Sequence, residues 1–286
     1  MSVRRIPAIP QLQFDAPPEL ARVRARLESI DPRHFGDIAQ LVGLDDSGAA
    51  IQVKLAAENS DLARDVPRWI AGFAIGASDL VVLFPARSPT YPDSTLEDVL
   101  RHEIAHVLIW RAARGRPVPR WFDEGLAMAV ERERGFEDQT QLVYQLMTSS
   151  RTNLDGISGL FRGGQNEQTR AYAFAGAIVH DVLQQYGPTA CAEILSRVGR
   201  GRTFEEAFSD VTGLTPDGLE EEFWHRQRFW TTWVSILGSS TMLWSVVTLL
   251  ALLAIYMRRR RNRQIEERWA KEDGDDDGND DGNVEK

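Results

Sequence analysis

From Phe229 to Met257 the chain carries no charged side chain, and four consecutive arginines follow at once. A run of 29 residues of this kind must satisfy its own backbone polar groups, as a helix across a bilayer or a helix inside a core. At about 1.5 Å per residue it is long enough to cross a hydrocarbon layer of about 30 Å with some tilt. Trp230 and Trp233 at one end and Tyr256 at the other suit the interfacial aromatic belts, and the abrupt RRRR favours spanning over burial. We therefore read 229–257 as a transmembrane helix, with the lipid bilayer as its partner. It divides residues 1–228 from a basic cluster and an acidic, low-complexity tail at 258–286, whose composition suits a solvated, disordered end.

Charge divides along the same line. The net charge is −9, yet residues 265–286 alone hold ten acids against three bases, and Arg258, Arg259, Arg260, Arg261 and Arg263 precede them. The remaining body is mildly acidic and carries no nucleic-acid footprint. Five arginines beside the helix end favour keeping that end in the cytoplasm, which puts residues 1–228 outside it. Export requires a signal peptide, and MSVRRIPAIPQLQF has no apolar run of the needed length, so this reading expects the true start to lie upstream. The alternative, a cytosolic domain with a translocated tail, must move five arginines and ten acids across the membrane. Cys191 is the one cysteine and reads as a small apolar core residue.

Within the first 228 residues, strand patterns precede helical ones. QLQF reads as a short strand, LARVRARLESI as an amphipathic helix, and AIQVKLA as a half-buried strand with Ile51, Val53 and Leu55 on one face. WIAGFAIGASDLVVLF holds two apolar runs about a Gly-Ala-Ser turn, as a hairpin does. Ser94 to Glu97 has the capping-box pattern and opens a helix with Leu96, Val99, Leu100, Ile104 and Val107 at helical spacing. GRPVP breaks it and WFDEGLAMAVERE begins another. Helices are also expected over 139–147, 170–186, 190–198, 203–211 and 216–229. The fold class is α+β, with a small N-terminal sheet and a helical C-terminal half.

The chemistry lies in the first of these helices. In HEIAH, His102 and His106 are four residues apart, about one turn, so both imidazoles face one side and can share a tetrahedral zinc. Glu103, next to the first histidine, falls near the open coordination position, where it can accept a proton from water. Accidental spacing on a solvated face is the competing reading. A third ligand would decide between them. His34, His180 and His225 lie in no ligand motif, whereas Glu124 in WFDEGLA follows His106 with seventeen residues between, beyond a Pro-Gly break that lets its helix fold back.

HEIAH followed by WFDEGLA resembles the gluzincin metallopeptidases, in particular the peptidase MA-like group, related to the aminopeptidase-N-like enzymes with their HExxH and WxNEGxA motifs. The resemblance is sharpest over residues 94–130, and the order of elements is similar from about residue 11 to 225. It implies a zincin-like (thermolysin-like) domain, Zn2+ bound by His102, His106 and Glu124, Glu103 as general base, and a peptide or protein substrate. Asp123 stands where the aminopeptidases have Asn, the ligand gap is one residue shorter, and Met128 replaces the Asp of the thermolysin variant. These departures weaken an aminopeptidase specificity and leave the ligand set standing. Related enzymes place a tyrosine on a helix beyond the glutamate ligand, which makes Tyr172 the candidate oxyanion donor; as part of an apolar face with Phe174, Ile178, Val179 and Val182, it reads equally as core. A membrane-tethered, non-catalytic interaction protein on the same scaffold is the alternative function. An intramembrane protease does not fit, because HEIAH lies far from the apolar run.

Overall fold

Period-two alternation forms the sheet. The structure is a computed structural model and describes residues 9–87, 89, 93, 95–131, 154–237, 248–258, 260 and 261. Strands β1 (Leu12–Asp15), β2 (Ile51–Leu55), β3 (Gly72–Ile75) and β4 (Leu80–Leu83) make one sheet in the order β1-β2-β4-β3. The pairs β1–β2 and β2–β4 are parallel, and β3 is an antiparallel edge with Gly72 opposite Leu83 and Ile75 opposite Leu80. In β2, Ile51, Val53 and Leu55 are buried while Gln52 and Lys54 face out, and Gln52 Nε2 donates to Gln13 Oε1 across the sheet at 2.8 Å. The hairpin and both earlier strands stand where the sequence pattern puts them.

The helices are α1 (Ala21–Glu28), α2 (Arg33–Val42), α3 (Asp61–Asp65), α4 (Leu96–Ala112), α5 (Arg120–Glu131), α6 (Leu154–Leu160), α7 (Gln165–Tyr186), α8 (Ala190–Gly199), α9 (Phe204–Thr212) and α10 (Pro216–Leu237). The fold is α+β: α1, α2 and α3 lie between the strands along the chain, and α4 to α10 follow β4. Helix α4 crosses the sheet and buries Val99, Leu100, Ile104, Val107 and Leu108 between the strands and its helical neighbours.

Four differences from the sequence pattern are local. Helix α2, which the pattern did not single out, buries Phe35, Ile38, Ala39 and Val42 and ends at Gly43 with φ 77°. Helix α3, also unforeseen, is a single turn capped by Ser60, whose Oγ accepts from Ala63 N. The capping box of α4 sits one residue later than expected: Asp98 N donates to Thr95 Oγ1 at 3.2 Å, and Thr95 N donates to Asp98 Oδ2 at 2.9 Å. Helix α7 begins at Gln165 rather than at 170, because the Glu167 carboxylate accepts from Gly164 N at 2.8 Å and closes an earlier first turn.

Arg87 ties down the segment that enters β3. Its side chain is 4% exposed and donates to Glu58, Ala63 O, Pro67 O and Ile70 O, with the guanidinium 4.0 Å from the centre of the Phe84 ring. Behind that ring Ala56, Ala63 and Val82 form a small cluster with Leu62, Val66 and Phe73.

The chain divides into two compact units, residues 1–223 and 224–286. Among the described residues, no helix is long and apolar enough to cross a membrane. Of the spanning helix expected over 229–257, residues 238–247 lie outside the described residues, as do the helix expected at 139–147 and the acidic tail.

Candidate metal centre

Helix α4 presents its histidines to a cleft beneath the edge of the sheet. Four-residue spacing places His102 and His106 on one face, their rings 4.9 Å apart. Gly72 on β3 allows the strand to approach this face: a Cβ there would lie 2.6 Å from Val99 Cγ1 and 3.2 Å from Glu103 Cγ. Glu103 is thereby buried between helix and edge strand while still lining the cleft.

The turn after α4 reverses the chain through Arg114 at φ 52° and Gly115 at φ 74°. Helix α5 then packs back on α4, held by two aromatic residues. Trp121 and Phe122 are 4% and 0% exposed and pack on Phe204 and Phe208, which turns Asp123 and Glu124 toward α4. Gly125 permits the next contact, since a Cβ there would stand 2.4 Å from Ala175 O of α7. The close crossing of α5 and α7 brings Tyr172 to the same cleft, its ring 6.2 Å from that of His102.

Three ligand-type atoms converge. His102, His106 and Glu124 each offer one within 4.8 Å of the others. His102 Nε2 and His106 Nε2 both lie 3.5 Å from Glu124 Oε2, and that buried oxygen accepts no hydrogen bond. The other carboxylate oxygen, Oε1, accepts from Arg120 Nε at 3.1 Å. Asp123 Oδ1 is 3.0 Å from His106 Nδ1, which fixes the ring with Nε2 toward Glu124. Asp93 Oδ1 is 3.9 Å from His102 Nδ1, beyond hydrogen-bond range. Two imidazoles and a carboxylate with ligand atoms this close together can hold a metal ion.

Electrostatics follow from this crowding. Burial works against a charge on His102, but the Glu124 carboxylate outweighs it and raises the imidazole to about 9. His106 is raised as well, burial again being overcome, here by Asp123 and Glu124. Glu124 moves the opposite way: burial would raise it, and the two histidines hold it well below the usual carboxylate range. Glu103 is raised by burial, the histidines offsetting part of the effect. Tyr172 is raised far above an ordinary phenol by burial and by the charge on Glu124, so it keeps its proton.

All five residues singled out in the sequence, His102, Glu103, His106, Glu124 and Tyr172, line one cleft of about 560 Å³. His34 and His180 do not belong to the cluster. Sequence reading missed Arg120 and Asp123 as supports of the ligands, and Trp110, Gln168 and Asp93 as neighbours of the site. Arg120 precedes Glu124 by four residues and Trp110 follows His106 by four, so the helical spacing was there to be read. Asp93 and Gln168 come from elsewhere in the chain and left no such signal.

A family model described as the Peptidase MA superfamily matches residues 64–232, more than half of the chain. The matched span runs from α3 into α10 and takes in β3, β4 and every residue of the centre. No curated protein and no solved structure matches the chain.

Proposed function

This chain belongs to the Peptidase MA superfamily, and from that premise we propose that it is a membrane-anchored, zinc-dependent metallopeptidase acting on peptides or proteins. One observation carries the reading: two imidazole nitrogens, each 3.5 Å from one buried carboxylate oxygen that has no donor. Ligands about 2.0–2.1 Å from a tetrahedral zinc are about 3.4 Å apart, so the spacing fits that ion and leaves a fourth position open. His102, His106 and Glu124 would hold it. When bound, zinc would polarise a peptide carbonyl and lower the pKa of a water toward about 7.

Glu103 takes a proton from the attacking water and delivers it to the leaving nitrogen. Burial raises its pKa, which makes the carboxylate a better acceptor for that proton. Tyr172, protonated by virtue of its surroundings, donates a hydrogen bond to the oxygen on which charge develops. Asp123 and Arg120 act through the ligands, one orienting His106 and the other occupying the second oxygen of Glu124. The β3 edge, with Gly72, Phe73 and Ala74 on the cleft, offers its backbone to an extended substrate.

Residues 229–257 are the proposed anchor, with residues 1–228 outside the cytoplasm and the arginine cluster within it. A reporter fused to the C-terminus should be active only in the cytoplasm; a translocated reporter overturns the orientation.

The catalytic reading is tested on the full chain in detergent. It should bind about one zinc, and Glu103→Gln should lower kcat by roughly 10³-fold with the zinc retained. Glu124→Ala should lower zinc occupancy. Zinc bound by the wild type without turnover of any peptide library would overturn the proposal in favour of a non-catalytic interaction protein.

A further inference from the structure

Helix α4 carries a third group in line with its two histidines. Trp110 follows His106 by four residues and so continues the same face one turn further, about 6 Å along the axis. It is 37% exposed, whereas Leu108 and Ile109 beside it are at most 1% exposed, and it lines the metal cleft.

The backbone around this indole makes a seat for it. At Gly76, in the turn between β3 and β4, an added Cβ would lie 2.5 Å from both Cβ and Cγ of Trp110. At Gly115, in the left-handed turn after α4, an added Cβ would lie 3.3 Å from Trp110 Cζ2, and Gly115 N donates to Trp110 O at 2.9 Å. Two separate loops thus dispense with side chains where the indole lies. Ala113, Pro117 and Val118 extend the apolar wall on the same cleft.

The edge strand runs alongside. Gly72 of β3 faces Val99 and Glu103, and Gly76 just beyond β3 faces Trp110, so strand and helix pass from the metal centre to the indole together. A peptide extended along that edge repeats its side chains on one face every 6.6 Å or about that, close to the step from His106 to Trp110. Indole faces bind aromatic and other large apolar side chains through area and ring contacts.

We propose that Trp110, seated on Gly76 and Gly115, is a specificity subsite that selects a large apolar, above all aromatic, substrate side chain within about two residues of the bond cleaved. This rests on the metallopeptidase reading of the same cleft. Binding separates the two: the full-length Glu103→Gln protein is titrated with octapeptides in which one Phe is moved through an Ala-Gly background, and zinc content is measured for every variant. The best Phe peptide should bind about tenfold tighter than the Ala-Gly parent. Adding Trp110→Ala should erase the preference with zinc retained, Trp110→Phe should keep most of it, and Gly76→Ala, which displaces the indole without removing it, should weaken it. The wild type should cleave the library with the same preference at one fixed position. Equal binding of all peptides, or a preference that survives Trp110→Ala, overturns the proposal. If Trp110→Ala fails to fold, an unchanged preference in Gly76→Ala overturns it instead. A preference that is present in binding, with no cleavage by the wild type, sinks the metallopeptidase reading and leaves the subsite.

Discussion

Arg87 and Glu124 are both buried charges, and the way each is satisfied separates a structural joint from a working site. Around Arg87 the protein supplies every partner: the Glu58 carboxylate, three backbone carbonyls and the face of Phe84. Around Glu124 it supplies one donor, Arg120, and aims two imidazole nitrogens at an oxygen that accepts nothing. Burial of charge alone therefore says little about function. Ligand atoms of three side chains converging on one point say a good deal, because one cation there would satisfy all three at once.

Breaking the first constellation should give the largest change. Arg87→Ala strips three backbone carbonyls, that of Ala63 buried, of their donor, and should lower stability by about 3 kcal/mol, by the same amount with and without zinc. Denaturant unfolding with matched zinc and chelator samples checks this, and a loss confined to the zinc-loaded protein would contradict the contrast. Arg120→Ala should do the reverse: zinc affinity falls by about 10-fold or more, as for other groups that orient a ligand, while the metal-free protein unfolds nearly as before. Competition with a chromophoric chelator measures it, and unchanged affinity would count against the role of Arg120.

A smaller effect comes with pH. In the metal-free protein His102 is raised from 6.5 to about 9, so its contribution to stability is complete below 6.5 and lost as pH rises through 9. Glu124 is lowered from 4.5, so its contribution is present above 4.5 and lost as pH falls further. Between pH 6.5 and 9 the metal-free centre therefore weakens as the histidine gives up the proton that zinc would have to displace. The gain in Tm on adding zinc should be larger at pH 8.5 than at pH 6, read by thermal scans with and without the metal. A gain that shrinks with rising pH would contradict this. The smallest signal is that of Cys191, buried and pushed up to about 12, which should resist alkylation in the native protein and react only on unfolding.

How much of this was legible beforehand depended on how far apart the interacting residues lie. The strands of AIQVKLA and the hairpin, and the helices α4, α5, α8 and α9, are local patterns, and they fold as their periodicity requires. Helix α2 was missed although Phe35, Ile38, Ala39 and Val42 have helical spacing and Asp31 Oδ1 accepts from Arg33 N at 2.9 Å at its start. The cap of α4 was read one residue early because Ser94, Thr95, Glu97 and Asp98 offer two overlapping boxes, and only the bonded pair distinguishes them.

The sequence alone determined the two histidines, the acid beside them and the acid of WFDEGLA, since helical spacing and a helix break are properties of neighbours along the chain. Tertiary structure decided which oxygen of Glu124 meets the histidines, that Arg120 holds the other, and that Asp123 rather than Asp93 lies within bonding distance of a ligand ring. It also decided that Trp110 lies on two glycines from separate loops. These facts depend on how closely β3, α5 and α7 approach α4, and that approach is set by side chains missing at Gly72 and Gly125, whose partners lie many residues away.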